Sequence, residues 1–291
     1  LKIRSTMLRM TPSPDSSFCP EQDAYILGTA AKELARLELQ DGLWSAITES
    51  LWDTAGFASG QNLMELGCGP GFSSMALAQR VGANGSVFGL DRSAQFLDFL
   101  SSRAAEQGFA QINTQQGDIT AQLDPSLHNN FDGIFARWLL CWMDKPEEAI
   151  QLAHQALRPG GKLVIFDYFH YHSLELLPQD PAFRFGIHAV EAAWRASGGN
   201  PSLGTTLPAL VEEHGFRVTH HELNTRAATP QDPLWQWPTS FFPDFMPQLV
   251  ADGFLTAQQA EDFLAAWDKS AKHQQGLFLA PPMLELVAEK I

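Results

Sequence analysis

The sequence predicts an α/β fold, a parallel sheet with helices on both faces. Short apolar strands alternate with helical segments five times between about residues 60 and 170, and that alternation is the mark of such a sheet. A glycine-rich turn, Glu65-Leu66-Gly67-Cys68-Gly69-Pro70-Gly71, joins the first strand to a helix. An acidic residue, Asp91, closes the second strand.

Residues 1–20, with Pro and Ser concentrated in 11–20, read as a flexible lead-in. From Tyr25 to Gln40 the residues Leu27, Ala30, Ala31, Leu34, Leu37 and Leu39 recur at helical spacing, and a second helix runs from Leu43 to Phe57. Residues 21–58 are thus a helical lid. The core, 59–227, begins with strand Asn62–Leu66, a helix over 73–81 and strand Ser86–Leu90. A helix over 93–107 carries Phe96, Leu97, Leu100 and Ala104 on one side, and strand Gln111–Gln116 stops at Gly117-Asp118. Phe131–Ala136 is the fourth strand. A helix over 146–157 ends at Arg158-Pro159-Gly160-Gly161, and Lys162–Asp167 is the fifth strand. A helix over 205–214 and strand Phe216–Leu223 extend the series.

The segment 228–275 is long for a plain connection. It carries Trp235, Trp237, Phe241, Phe242 and Phe245 among prolines, then a helical stretch Ala257–Ala271, and reads as a helical cap. Residues 276–291 complete the core. Gly276–Ala280 is expected as the last strand, with a helix after Pro281-Pro282.

Hydrophobic residues make up 45% of the 291 and charged residues 18%, enough apolar material for a real core. The net charge of −14, from 19 basic and 33 acidic residues, repels phosphate backbones. With no Lys/Arg cluster, nucleic acid is not an expected partner. Cys19, Cys68 and Cys141 form neither a disulfide framework nor a metal motif, which points to a reducing compartment. No apolar run reaches membrane-spanning length, and Leu1–Met10 does not read as a signal peptide. The expected location is the cytoplasm, without membrane insertion. The oligomeric state stays open, with a homodimer among the options.

Glycines let a ligand lie against the backbone, and the end of a strand in an open α/β sheet is where nucleotide-like ligands dock. The dinucleotide fingerprint wants a third glycine where Phe72 stands. That argues against a nicotinamide-dependent oxidoreductase. Asp91 can accept from both ribose hydroxyls, and Asp118 from an exocyclic adenine amine.

In order and spacing, ELGCGPG, the Asp91 strand end, Gly117-Asp118, the FDGIFA strand and LRPGGKL resemble the class I S-adenosylmethionine-dependent methyltransferases. The chain looks nearest to the ubiquinone/menaquinone-biosynthesis-like small-molecule enzymes. The resemblance implies a three-layer, Rossmann-like, mostly parallel sheet of seven strands whose last strand is antiparallel. The cofactor it implies is S-adenosyl-L-methionine, with S-adenosyl-L-homocysteine as product. Glu65, Gly67, Gly69 and Gly71 then belong to the cofactor site. Asp91 takes the ribose, Arg92 and Ile119 flank the adenine, and Asp118 holds its amine. Arg137 sits near the methionine moiety, and Tyr25, Arg36 and Gln40 close over the cofactor. The bland reading of Arg36 and Gln40 is one solvated helix face.

The expected reaction is in-line methyl transfer to an O, N or S atom of a small, apolar or aromatic molecule. Alignment alone supplies much of such a rate. Trp138, Trp142, Trp235, Trp237 and Phe241 are candidate substrate-pocket residues. In an extended chain Tyr168, His170 and His172 point to one side and are the candidates for a catalytic role. His170, His172 and Asp167 lack a third ligand at fixed spacing, so no metal is expected. The rival readings are a non-catalytic S-adenosylmethionine-binding regulatory protein and a protein methyltransferase.

Overall fold

The computed structural model describes residues 31–291. Tyr25 and the lead-in lie outside the described residues.

The first described element is one helix, α1 (Ala31–Ala55), where two were expected. Asp41-Gly42 reads as a break. An exposed glycine costs a helix only about 1 kcal/mol, however, and Glu33 before it lies on the same buried face as Trp44, Thr48, Leu51, Trp52 and Ala55 after it. The core follows in sequence order as β1 (Asn62–Leu66), α2 (Phe72–Val81), β2 (Ser86–Asp91), α3 (Ala94–Gln107) and β3 (Ile112–Gln116). Then come β4 (Phe131–Arg137), α4 (Pro146–Ala156), β5 (Leu157–Tyr168), β6 (Glu175–Leu177), α5 (Pro181–Ala196) and α6 (Leu207–Glu213). The chain finishes with β7 (Phe216–Asn224), β8 (Ala227–Ala228), α7 (Gln236–Ala251), α8 (Ala257–Ala271), β9 (Leu277–Leu279) and β10 (Met283–Lys290).

Seven strands form one sheet in the order β3-β2-β1-β4-β5-β10-β7, and β10 runs antiparallel to both its neighbours. The strand period of two divides their side chains between two layers. Leu63, Val87, Phe135, Val164 and Phe166 pack with α1 and α2, while Leu66, Ile134, Leu163 and Ile165 pack with α4 and α6. Helices therefore cover both faces.

Two terminal expectations are corrected. Residues 277–279 join β6 and β8 in a small second sheet, not the main one. The segment after Pro281-Pro282 is the strand β10, not a helix. Its residues favour helix locally, but Met283 to Ala288 are all buried between β5 and β7, where pairing on both edges satisfies the backbone.

The aromatic and proline-rich stretch after residue 235 is itself a helix, α7, with Pro243 and Pro247 inside it. Both prolines lie on its exposed side, where water can serve carbonyls that lose an N–H partner. α8 starts with a capping box between Thr256 and Gln259. Phe183 of α5 stacks on Phe263 of α8 at 4.9 Å, so α5 shares the cap's core. That core is continuous with the sheet's α1 side. No described helix is long and apolar enough to cross a membrane.

Candidate active site

The glycine turn stands at the carboxyl end of β1. Gly67, Gly69 and Gly71 have φ of +64°, +52° and +80°, the left-handed region that penalises a side chain. A Cβ on Gly71 would sit 2.2 Å from Leu100 Cδ1, and one on Gly67 2.8 Å from Leu139 Cδ1, whereas at Gly69 nothing lies within 4 Å. Two glycines are thus required by packing, and the middle one faces open space.

Asp91, at the end of β2, is turned toward this loop. Its carboxylate accepts the Gly69 N–H and the Ser93 N–H, each at 2.8 Å. Ser93 also caps α3 by accepting the Phe96 N–H. Asp118 lies exposed just beyond β3. It accepts from the Thr120 N–H at 2.9 Å and the Thr120 hydroxyl at 2.8 Å, which hold its carboxyl below the usual range. Arg92 is exposed beside Asp91, and Ile119 is half-buried against the α4 side of the sheet.

Glu65 is buried, and burial pushes its carboxyl up to about 8 despite the Ser74 hydroxyl that donates to it. Arg137, ending β4, pairs with Asp41 of α1 at 2.5 Å and lies 5.1 Å from the Trp138 ring. Trp138 itself has φ +48°. Such a conformation in a bulky residue marks strain held by its surroundings.

Past these strand ends lies a partly open cavity of about 90 Å³. Ten of its sixteen described lining side chains are aromatic, so these walls are apolar. Trp138 and Trp142 come from the chain after β4, Tyr168 from the end of β5, Trp194 from α5, and Trp237 and Phe241 from α7. Arg36 and Gln40 of α1 close one side. They are not one solvated face. Arg36 bonds both oxygens of Glu33 at 2.7 Å, and Gln40 Oε1 accepts from Arg36 at 3.1 Å and from the Trp237 indole at 2.8 Å.

Trp235 is not part of the lining; it stacks on Trp267 at 4.3 Å in the cap's own core. The extended run through His172 is also corrected. β5 ends at Tyr168, and residues 171–173 form a tight turn. That turn separates the three side chains. Tyr168 lines the cavity, while His170 meets the Ser173 hydroxyl at 3.1 Å, and exposed His172 meets Glu191 at 2.8 Å and stacks on His188. Neither His170 nor His172 is a lining residue. Asp167 is buried on the other side of β5. It accepts the Cys141 and Tyr168 N–H groups, and burial pushes it up to about 6. The described residues hold no cluster able to bind a metal.

Sequence reasoning passed over Tyr171, Val190 and Phe278, which line the cavity too. The repeat Phe183, Ile187, Val190, Trp194 along α5 was the available signal for Val190. Phe278 had none, because its role depends on pairing between distant strands.

Comparison with known proteins agrees with this architecture. A family described as a methyltransferase domain matches residues 57–190. The 2-phytyl-1,4-naphtoquinone methyltransferase of Thermosynechococcus vestitus is 30% identical over 198 residues, covering 64% of this chain and 86% of that protein. The ubiquinone/menaquinone biosynthesis C-methyltransferase of Legionella pneumophila (strain Corby) is 27% identical over 177 residues, 56% of this chain and 69% of that one. Among solved structures, geranyl diphosphate C-methyltransferase from Streptomyces coelicolor, bound to S-adenosyl-L-homocysteine, has the same fold. Its TM-score is 0.52 at 15% identity, over 85% of this chain and 77% of that one. With its glycine turn, strand-end carboxylates and antiparallel penultimate strand in place, the chain belongs to the class I S-adenosylmethionine-dependent methyltransferase family.

Proposed function

We propose that this chain methylates a small, apolar or aromatic acceptor held in the aromatic cavity. One observation carries the reading: the chain after β4 links the cavity wall to the glycine turn. Leu139, the residue after cavity-lining Trp138, is what a Cβ on Gly67 would strike.

The residues fit the cofactor. Gly69 leaves open space above a positive-φ backbone, and Asp91 is anchored beside it by one N–H on each oxygen. Each oxygen retains a further lone pair. In this reading Gly67, Gly69 and Gly71 border the methionine and ribose, and Asp91 accepts the ribose hydroxyls. Arg92 and Ile119 flank the adenine, and Asp118 takes its amine. Glu65, Arg137, Arg36 and Gln40 surround the amino-acid end. When bound, S-adenosylmethionine supplies a methyl carbon already activated for displacement.

The protein's share is then alignment and exclusion of water, for which alignment alone offers on the order of 7–11 kcal/mol. Among the described residues no His, Asp or Glu lines the cavity. Burial holds the Tyr168 and Tyr171 phenols well above their usual range, so they stay protonated. The described wall offers no general base, which favours an acceptor that arrives as a competent nucleophile. The Legionella relative is by name a C-methyltransferase, so carbon joins O, N and S among the accepting atoms to be screened.

Titration calorimetry with S-adenosylhomocysteine, with NADH as control, tests the cofactor half of the reading. We expect saturable binding of the first only. Asp91→Ala is expected to lower that affinity by at least about tenfold while the protein stays folded, since hydrogen bonds to a charged group contribute about 1.5–3 kcal/mol. Binding of NADH alone, or an Asp91→Ala protein with parental affinity, would overturn it.

A further inference from the structure

The described lining of the cavity holds no negative group, and its phenols, Tyr168 and Tyr171, stay protonated because burial pushes them up. Arg36 is its one described charge, and both oxygens of Glu33 meet it at 2.7 Å. A phenolate or thiolate acceptor would leave water for ring faces that carry negative charge, with the nearby guanidinium already neutralised. The acceptor that suits this wall enters uncharged. The fate of protons narrows its chemistry further. An alcohol or a thiol must lose a proton as it is methylated, and an alkene becomes a carbocation that must lose one afterwards. No described wall residue can take it. An uncharged nitrogen becomes a stable ammonium-type cation and has no proton to shed. A thioether sulfur shares that balance but is the weaker nucleophile.

The wall also suits the cation so formed. Aromatic faces attract cations that come within about 6 Å of the ring centroid. Three guanidinium groups already rest on this aromatic cluster. Arg36 lies 5.8 Å from the Phe241 centroid and Arg137 5.1 Å from that of Trp138. Arg226 lies 5.0 Å from the centroid of Trp44, which packs on both Trp138 and Trp237. Arg36 and Arg137 each have a carboxylate partner, Glu33 and Asp41, so their own charges are balanced.

We propose that the accepting atom is an uncharged nitrogen of an apolar molecule, a pyridine-like heterocycle or a tertiary amine, and that the aromatic wall holds the resulting onium cation. The inference rests on the cavity being the acceptor site of a methyltransferase. The nitrogen lone pair forms the new bond to the methyl carbon, while the carbon–sulfur bond breaks and its electrons stay on sulfur. Positive charge passes from sulfur to nitrogen, and no proton is released. The rings then stabilise charge where it develops, without reorganising.

The test is calorimetric, on the full chain, with and without saturating S-adenosylhomocysteine. N-methylquinolinium, the product such an acceptor would give, is compared with 1-methylnaphthalene, its uncharged isostere, and with 1-naphthoate. We expect the cation to bind at least about tenfold more tightly than either. Phe241→Leu and Trp142→Leu each replace a ring by an apolar side chain at a half-buried position of the wall. Each is expected to weaken the cation about threefold relative to the hydrocarbon. Tighter binding of 1-naphthoate, no binding of the cation, or a preference that neither substitution moves would overturn the proposal. The wild-type comparison needs no variant to fold. Equal or tighter binding of 1-methylnaphthalene would end the nitrogen inference and leave the apolar-acceptor reading standing. Failure of S-adenosylhomocysteine to bind would strike the cofactor reading alone, because the comparison is also made without it.

Discussion

The three glycines of the turn share one backbone region yet answer to different constraints. Gly71 is held by the Leu100 side chain 2.2 Å from where a Cβ would stand. Gly71→Ala is expected to destabilise the protein by about 2–4 kcal/mol, from overpacking and a strained φ. A denaturant melt checks this. Gly69 has empty space there, so Gly69→Ala should cost only about 1–2 kcal/mol of stability. Its methyl group would enter the space proposed for the cofactor, however, and S-adenosylhomocysteine affinity should fall at least about tenfold, read by calorimetry. Gly69→Ala with full affinity would place the ligand elsewhere. The spacing of the glycines was legible in the sequence. Which glycine serves packing and which faces the groove was not, because Leu100 and Leu139 reach the turn only through the fold.

Element by element, local signals worked where they were strong. Ala257–Ala271 was legible because its apolar face repeats at helical spacing and Thr256 with Gln259 makes a capping box. Thr256→Ala is expected to cost about 1 kcal/mol, seen as a lower unfolding midpoint with no change in ligand affinity. α7 was read only as part of an aromatic cap, since two internal prolines mask its period. α1 was split in two at Asp41-Gly42. The structure gives Asp41 a partner instead, in Arg137 at the end of β4. Asp41→Ala would leave that guanidinium largely buried without its counter-charge, a loss of about 3 kcal/mol or more. Amide exchange in α1 should quicken relative to β4 and β5. Unchanged protection in α1 would mean that the pair does not anchor the helix.

At the scale of the molecule, two buried carboxyls make stability depend on pH. Glu65 is raised from 4.5 to about 8 and Asp167 from 3.8 to about 6, each by desolvation first. Between those limits the folded protein keeps protons that the unfolded chain releases. Stability of the ligand-free protein should therefore fall as pH rises from about 5 to about 8, by at most about 1.4 kcal/mol per pH unit for each group. Glu65→Gln should flatten the upper half of that profile, above about pH 6. Denaturant unfolding across the range checks it, and a profile rising toward pH 8 in the wild type would contradict the burial of Glu65. Both carboxyls stand at strand ends, where the sheet gives way to the site.

The sequence by itself determined the α/β alternation, the strand ends that carry Asp91 and Asp118, and the family, because each is written in residues close together along the chain. Only the tertiary structure decided the last strand. Met283–Lys290 has the residues of a helix and becomes β10 because β5 and β7, far away in sequence, offer it two unpaired edges. The cavity was decided in the same way. Its aromatics come from the ends of β4 and β5 and from α5 and α7, while Trp235 and the two histidines turn away from it. Aromatic composition predicts burial, but a shared wall depends on how separate elements pack, which no local spacing records.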